Sequence, residues 1–171
     1  MKLYYAPAAC SLAVHIALRE TGRRFDAVAV DLARHTLPDG ASYLDVSPRG
    51  YVPLLELDDG TRHTEAASLL QYVADLAPGR ALIGEPGTAR RLAVVEWLTF
   101  VSTELHKTFS PWLWQKETAE STRKAVKDSW RSASPSSTRC SRRASSSPAT
   151  TASPTPTPSR SSTGRTSSPS R

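Results

Sequence analysis

Cys10 and Ser11 stand where a short apolar run gives way to a helical pattern, and a thiol at such a junction is the first group in this 171-residue chain that could do chemistry. Leu3 to Ala6 reads as a strand, Pro7-Ala8-Ala9 as a break, and Leu12, Ile16 and Leu18 as the apolar stripe of a helix opening near Cys10. In a first helical turn, unpaired backbone N–H groups and the positive end of the helix dipole favour the thiolate, the nucleophilic and redox-active form of cysteine. Ser11 adds a hydroxyl donor one residue on. The same placement also suits a small buried packing residue with Ser11 as a cap.

The elements that must position this thiol follow in order. Glu20-Thr21-Gly22 closes the first helix with a C-terminal glycine. Phe25 to Leu32 alternates as a second strand covered on both sides, which makes a strand–helix–strand unit with two parallel strands. Ala33 to Asp45 is polar and irregular, with a turn at Pro38-Asp39-Gly40, a short helix at Ser42-Tyr43-Leu44, and His35 as a loop histidine. Leu54 to Leu57, the Asp58-Asp59-Gly60 turn and Thr61 to Thr64 form a hairpin, with Pro53 placed where a missing N–H is tolerated or a cis bond made. Thr64 or Glu65 caps a helix running through Leu69, Leu70 and Val73 towards Pro78-Gly79, and its N-terminus offers bare amides to an anion. Thr88 to Phe109 is a third helix with Leu92, Val95, Trp97, Leu98, Val101 and Leu105 at helical spacing. The next segment, Glu117 to Trp130, is charged and too weakly amphipathic to bury that stripe.

Together these residues resemble the bacterial beta-class glutathione S-transferases over residues 1 to about 128. The resemblance rests on the order of strand, Cys10-Ser11 helix, strand, Gly50-Tyr51-Val52-Pro53, Asp-Asp-Gly turn, Thr64-Glu65 helix, and a helix bearing Glu104-Leu105-His106-Lys107. It implies an α/β thioredoxin-like N-terminal domain over 1–80, an incomplete all-α C-terminal domain over 87–130, and conjugation of glutathione to soft, hydrophobic electrophiles or exchange of mixed disulfides at Cys10. Cys10, Ser11 and His106 would be the catalytic groups. Val52 and Pro53 would hold the cysteinyl part of glutathione by strand-like pairing. Glu65 and Ala66 would hold the γ-glutamyl end, with Ala66 standing where many relatives carry a hydroxyl or glycine, so that backbone N–H alone must serve. His35, Thr103, His106 and Lys107 complete the implied contacts. Glutathione is then a co-substrate, no cofactor or metal is expected, and the implied assembly is a homodimer once the second domain is complete. A glutathione-binding relative without turnover is the alternative.

Charge is divided unevenly. Residues 1–130 carry 15 Lys and Arg against 16 Asp and Glu, whereas residues 131–171 hold seven Arg and no acid, so the formal +6 belongs to the tail. That tail is nearly all Ser, Arg, Thr, Pro and Ala with no Leu, Ile, Val, Met or aromatic residue, and disorder is expected because nothing can offset the entropy of ordering it. Its arginines are scattered without aromatic stacking partners, which argues against a nucleic-acid partner. No apolar run spans a bilayer and no signal-peptide core follows Met1-Lys2, so a cytoplasmic, membrane-free location is expected. Cys10 and Cys140 are the two cysteines, too few for a disulfide framework or a thiolate zinc site. The tail also carries a trace of another reading frame. When each codon takes the third base of one residue and the first two of the next, Ala149 to Ser168 can be read as GDDRFTDADAFTVLNWTHFL and Ala133 to Ser141 as RFAVLDAVL. Both look like helices of the family, so residues from about 129 onward are expected to derive from a shifted frame.

Overall fold

The computed structural model describes residues 1–109, 112–113 and 115–133; the expectations for the tail beyond Ala133, Cys140 included, lie outside the described residues. The chain opens with β1 (Lys2–Tyr5), α1 (Ser11–Thr21) and β2 (Asp26–Ala29). A single 3-10 turn (Tyr43–Asp45) precedes β3 (Leu54–Glu56), β4 (Arg62–His63) and α2 (Ala66–Asp75), and a second 3-10 turn (Pro78–Arg80) leads to α3 (Ala89–Phe100). One sheet of four strands runs in the order β2-β1-β3-β4, with β1 and β2 parallel and the other pairs antiparallel. This is the expected thioredoxin-like α/β arrangement, followed by helices.

Strand periodicity divides the core in two. Leu3 and Leu55 point to one face of the sheet and meet Val14 and Leu18 of α1 and Leu69 and Val73 of α2. Their neighbours Tyr4 and Leu54 point to the other face, where Val30 and Tyr43 cover them. Each fully buried Leu or Val contributes about 1.5–3 kcal/mol relative to exposure. The 3-10 turn is therefore more than a connector, because it carries wholly buried Tyr43 onto the sheet while the Ser42 hydroxyl caps its first turn.

Two expectations for the first unit are corrected. In α1 the buried face is Ser11, Val14, Leu18 and Thr21, whereas Leu12 and Ile16 are 54% and 53% exposed. Leu18 alone of the expected stripe is buried, since the sheet takes the face one residue away. β2 is shorter than Phe25 to Leu32, and Asp26 and Ala27 are exposed because it is the sheet edge rather than a strand covered on both sides.

The long helix is not uniform. Thr88 caps α3 by accepting from the Arg91 N–H at 3.3 Å. After Phe100 the backbone widens into a π-helical stretch, Val101–His106, before a last α-helical turn, α4 (Lys107–Phe109). Side-chain hydroxyls turn back onto main-chain carbonyls through this region: Thr99 to Val95, Ser102 and Thr103 to Thr99, and Thr108 to Glu104. Leu92, Trp97 and Val101 remain 69%, 41% and 45% exposed, so half of the stripe expected to need covering is uncovered by the described residues. α5 (Glu120–Ala133) nevertheless packs against α4 and the π-helical stretch and buries Val126, which the charged sequence of Glu117 to Trp130 did not suggest. It also carries Arg131 within the helix, paired with Asp128 at 3.2 Å, rather than in the tail.

Candidate functional site

The break after β1 is fixed by one hydroxyl. Ser11 is wholly buried, and its Oγ accepts from the Ala6 N–H at 3.1 Å and donates to the Ala6 carbonyl at 3.2 Å. Ala8 takes a left-handed φ of 58° and the Ala9 N–H returns to the Ala6 carbonyl at 3.3 Å. This clamp delivers Cys10 as the residue preceding α1. The expected Ser11 donor is thus engaged within the turn in this structure. The backbone N–H groups of Ser11 and Cys10 interact with the sulfur instead.

Cys10 Sγ is half-buried and donates to the Val52 carbonyl at 3.4 Å. Burial pushes the thiol above its ordinary value, against the pull of the Cys10 and Ser11 amides and the positive charge of Lys107, while Glu65 pushes it further up. A helix start alone predicts a thiolate. Here desolvation of the charged form is the larger effect, so the resting group is the thiol.

Val52 is held from behind. The Val52–Pro53 peptide bond is cis, and the preceding Tyr51 carbonyl accepts from the Tyr43 hydroxyl at 2.9 Å and from the Ser47 hydroxyl at 3.4 Å. Tyr43 and Ser47 escaped the sequence reading because a loop tyrosine carries no periodic signal. Its neighbourhood with a buried-type Ser-Pro was the available hint. His35 lies across the same connection with φ 52°, its carbonyl accepting from the Tyr43 N–H at 2.8 Å and its buried Nδ1 lacking a hydrogen-bond partner. Gly50 must be glycine there: its φ is 66°, and a Cβ would come within 2.6 Å of the His35 ring.

Glu65 precedes α2 with φ 69° and ψ 107°, a left-handed strain in a non-glycine residue. No side chain caps this helix, so the amides opening at Ala66 remain available to an anion, and the proposed Thr64 or Glu65 side-chain cap is corrected. From the other side the π-helical stretch ends at His106 and presents Lys107, whose charge is felt at Cys10. Burial, and then the Lys107 charge, hold the His106 imidazole below its ordinary range, so it is neutral at pH 7. Thr103 is exposed and its hydroxyl is engaged by the Thr99 carbonyl at 3.0 Å and the Glu104 carboxylate at 3.3 Å; no contact brings it to the other residues.

Cys10, Val52, Glu65 and Lys107 therefore share one neighbourhood, with Ala66 and His106 adjoining it in sequence and His35 lying behind the Val52 strand. Its chemistry is that of a thiol site able to receive an extended peptide: main-chain groups of the Val52 connection before β3, bare amides and a carboxylate for an amino-acid head group, and a cation to stabilise a second sulfur anion. Among the described residues no cluster of three His, Cys, Asp or Glu could hold a metal ion.

Residues 9–76 match the family model described as Glutathione S-transferase, N-terminal domain. The Escherichia coli glutathione S-transferase GstA is 46% identical over 127 residues, which cover 74% of this chain and 63% of that protein. A ternary complex of BphK, a bacterial GST, is 48% identical with a TM-score of 0.74, covering 78% of this chain and 66% of the other. A sphingomonad glutathione S-transferase complexed with glutathione is 42% identical with a TM-score of 0.73, covering 77% and 65%. The chain thus spans a little under two thirds of the length of these relatives.

Proposed function

We propose that the chain is a member of the glutathione S-transferase family, binds glutathione across the Cys10 neighbourhood and transfers it to a hydrophobic electrophile. In this reading glutathione lies extended, pairing with the Val52 main chain ahead of Pro53. The γ-glutamyl carboxylate takes the amides at Ala66, and its ammonium meets Glu65. His35 and Thr103 are the weaker contacts of this reading, and His106 and Lys107 approach from the helical side.

The observation that carries this is the Cys10 Sγ to Val52 carbonyl contact of 3.4 Å, because it sets the thiol against the main chain with which an extended peptide would pair. Cys10 then works first as a thiol that donates to the glutathione sulfur, sharing the task with the Lys107 charge and the first-turn amides. Stabilising that thiolate raises the population of the nucleophile near neutral pH. The glutathione sulfur attacks the electrophilic carbon, a C–S bond forms, and the leaving group departs with its electron pair. Neutral His106 can accept the thiol proton. Where the substrate is a disulfide of glutathione, the Cys10 thiolate instead attacks one sulfur, forming a Cys10–glutathione disulfide and releasing the other thiolate.

No cofactor takes part, and no helix among the described residues is long and apolar enough to cross a membrane. Action in the cytoplasm, a role in detoxification and a homodimeric state complete the proposal. A second reading, binding without turnover, is favoured by one observation: the apolar residues Leu92, Trp97 and Val101 are exposed where a complete second domain would bury them. Calorimetric titration with glutathione, followed by turnover of a chromogenic electrophile, decides between them. Binding with conjugation supports the transferase, binding without it the second reading, and the absence of binding defeats both.

A further inference from the structure

At the end of α1 remote from Cys10, the turn into β2 gathers arginines around an open groove of about 430 Å³, within the roughly 300–1,000 Å³ typical of small-molecule sites. Arg19, Gly22, Arg23, Arg24, Phe25 and Asp26 line it. Eleven residues of α1 separate it from the thiol, about 16 Å at 1.5 Å per residue. Arg80 adds a fourth guanidinium at the rim, since a Cβ on Gly22 would sit 3.6 Å from its Nη2.

The charges are unbalanced and partly fixed in place. None of Arg19, Arg23, Arg24 and Arg80 lies within ion-pair distance of a carboxylate among the described residues, and Asp26 is the single acid in the lining. Arg23 is anchored by Nε and Nη2 to the Leu76 carbonyl at 3.2 and 3.0 Å, and Arg19 stacks 5.1 Å from the Phe25 ring centroid. Two guanidiniums are thus held before any ligand arrives, which reduces the rotamer entropy lost on binding. Gly22, at φ 72°, leaves the floor free of a side chain. Planar guanidiniums match phosphoryl oxygens geometrically better than they match water or chloride.

We propose that this groove is a binding site for a compact, multiply phosphorylated anion, separate from the thiol site. Inorganic triphosphate is the probe. Titration calorimetry on the 171-residue chain in roughly 0.15 M salt, where the Debye length is about 8 Å, should give one saturable site, with inorganic phosphate binding at least tenfold more weakly because it reaches fewer of the guanidiniums (order of magnitude from one charge-assisted contact). Arg24→Glu, at an exposed position with no side-chain contact to lose, should weaken triphosphate by at least about tenfold, as should Arg19→Gln. A chain whose arginines beyond residue 133 are replaced by Gln should bind as before, and saturating glutathione should leave the affinity unchanged. Binding lost with the tail arginines, unchanged by Arg24→Glu, displaced by glutathione, or equal for phosphate and triphosphate would overturn the assignment.

Discussion

Replacing Ser11 with alanine separates two roles for the residue beside the thiol. If the hydroxyl serves the turn, the change removes both partners that Oγ gives to Ala6 in a wholly buried place. The Ala6 carbonyl keeps the Ala9 N–H at 3.3 Å, whereas the Ala6 N–H is left without a partner. An orphaned buried donor costs about 1–3 kcal/mol, and the lost second bond adds about 0.5–1 kcal/mol, for a destabilisation of about 1.5–4 kcal/mol. For a unit of this size that lowers the melting temperature by roughly 5–15 °C. Differential scanning calorimetry measures the melting, and calorimetric titration with glutathione measures binding below the transition. The expected pattern is a lower melting temperature with an affinity reduced only severalfold, because the Cys10 and Ser11 amides stay. An unchanged melting temperature together with a hundredfold loss of turnover would refute the reasoning and return Ser11 to direct contact with substrate.

Glu65→Ala should weaken glutathione binding by roughly 1.5–3 kcal/mol, the value of a charge-assisted hydrogen bond; unchanged affinity in calorimetry places the γ-glutamyl end elsewhere. Because burial raises the Cys10 thiol, alkylation at pH 7 should be slower than for a free cysteine and accelerate only above the ordinary thiol range, Lys107→Met should slow it further, and bound glutathione should protect it. The linked stability has a definite sign: a group whose folded value is raised contributes below its unfolded value and loses that contribution as pH rises through the folded one, so Cys10→Ala should flatten the alkaline fall in melting temperature. Leu92→Gln, at a residue 69% exposed, should leave the melting temperature within about 2 °C, equivalent to ±0.5 kcal/mol, while reducing aggregation measured by light scattering.

Local chemistry was the readable part of this chain. The Asp-Asp-Gly turn, the Val52–Pro53 cis bond and the glycine ending α1 are each written in one to four residues, and each was found where those residues stand. Features that depend on what packs from a distance were not. Leu12 and Ile16 have the spacing of a buried stripe, yet the sheet takes Val14 and Leu18, and periodicity cannot say which of two neighbouring apolar faces a sheet will take. Tyr43 looked like part of a polar loop because its core partners, Tyr4, Val30 and Leu54, lie far away in sequence. The protonation of Cys10 reversed for the same reason: the helix start is local and visible, while the burial that outweighs it belongs to the folded chain, which brings the Val52 carbonyl to the sulfur. The site was therefore legible as a list of residues, and its electrostatics were not.

The π-helical stretch gives the third helix an unusual dependence on its own length. Such a turn accommodates one residue more than an α-helix would over the same rise, so it behaves as a one-residue insertion absorbed in place. Deleting a single residue between 101 and 106 would therefore let the helix relax to regular winding while the residues downstream kept their register, so that Lys107 would still face the thiol. Deleting a residue from the regular winding of Ala89–Phe100 would instead turn everything downstream by about 100° with a shift of about 1.5 Å and carry Lys107 away from the sulfur. The stretch holds slack, and one residue can be lost from it, but not from the turns before it, without moving the cation.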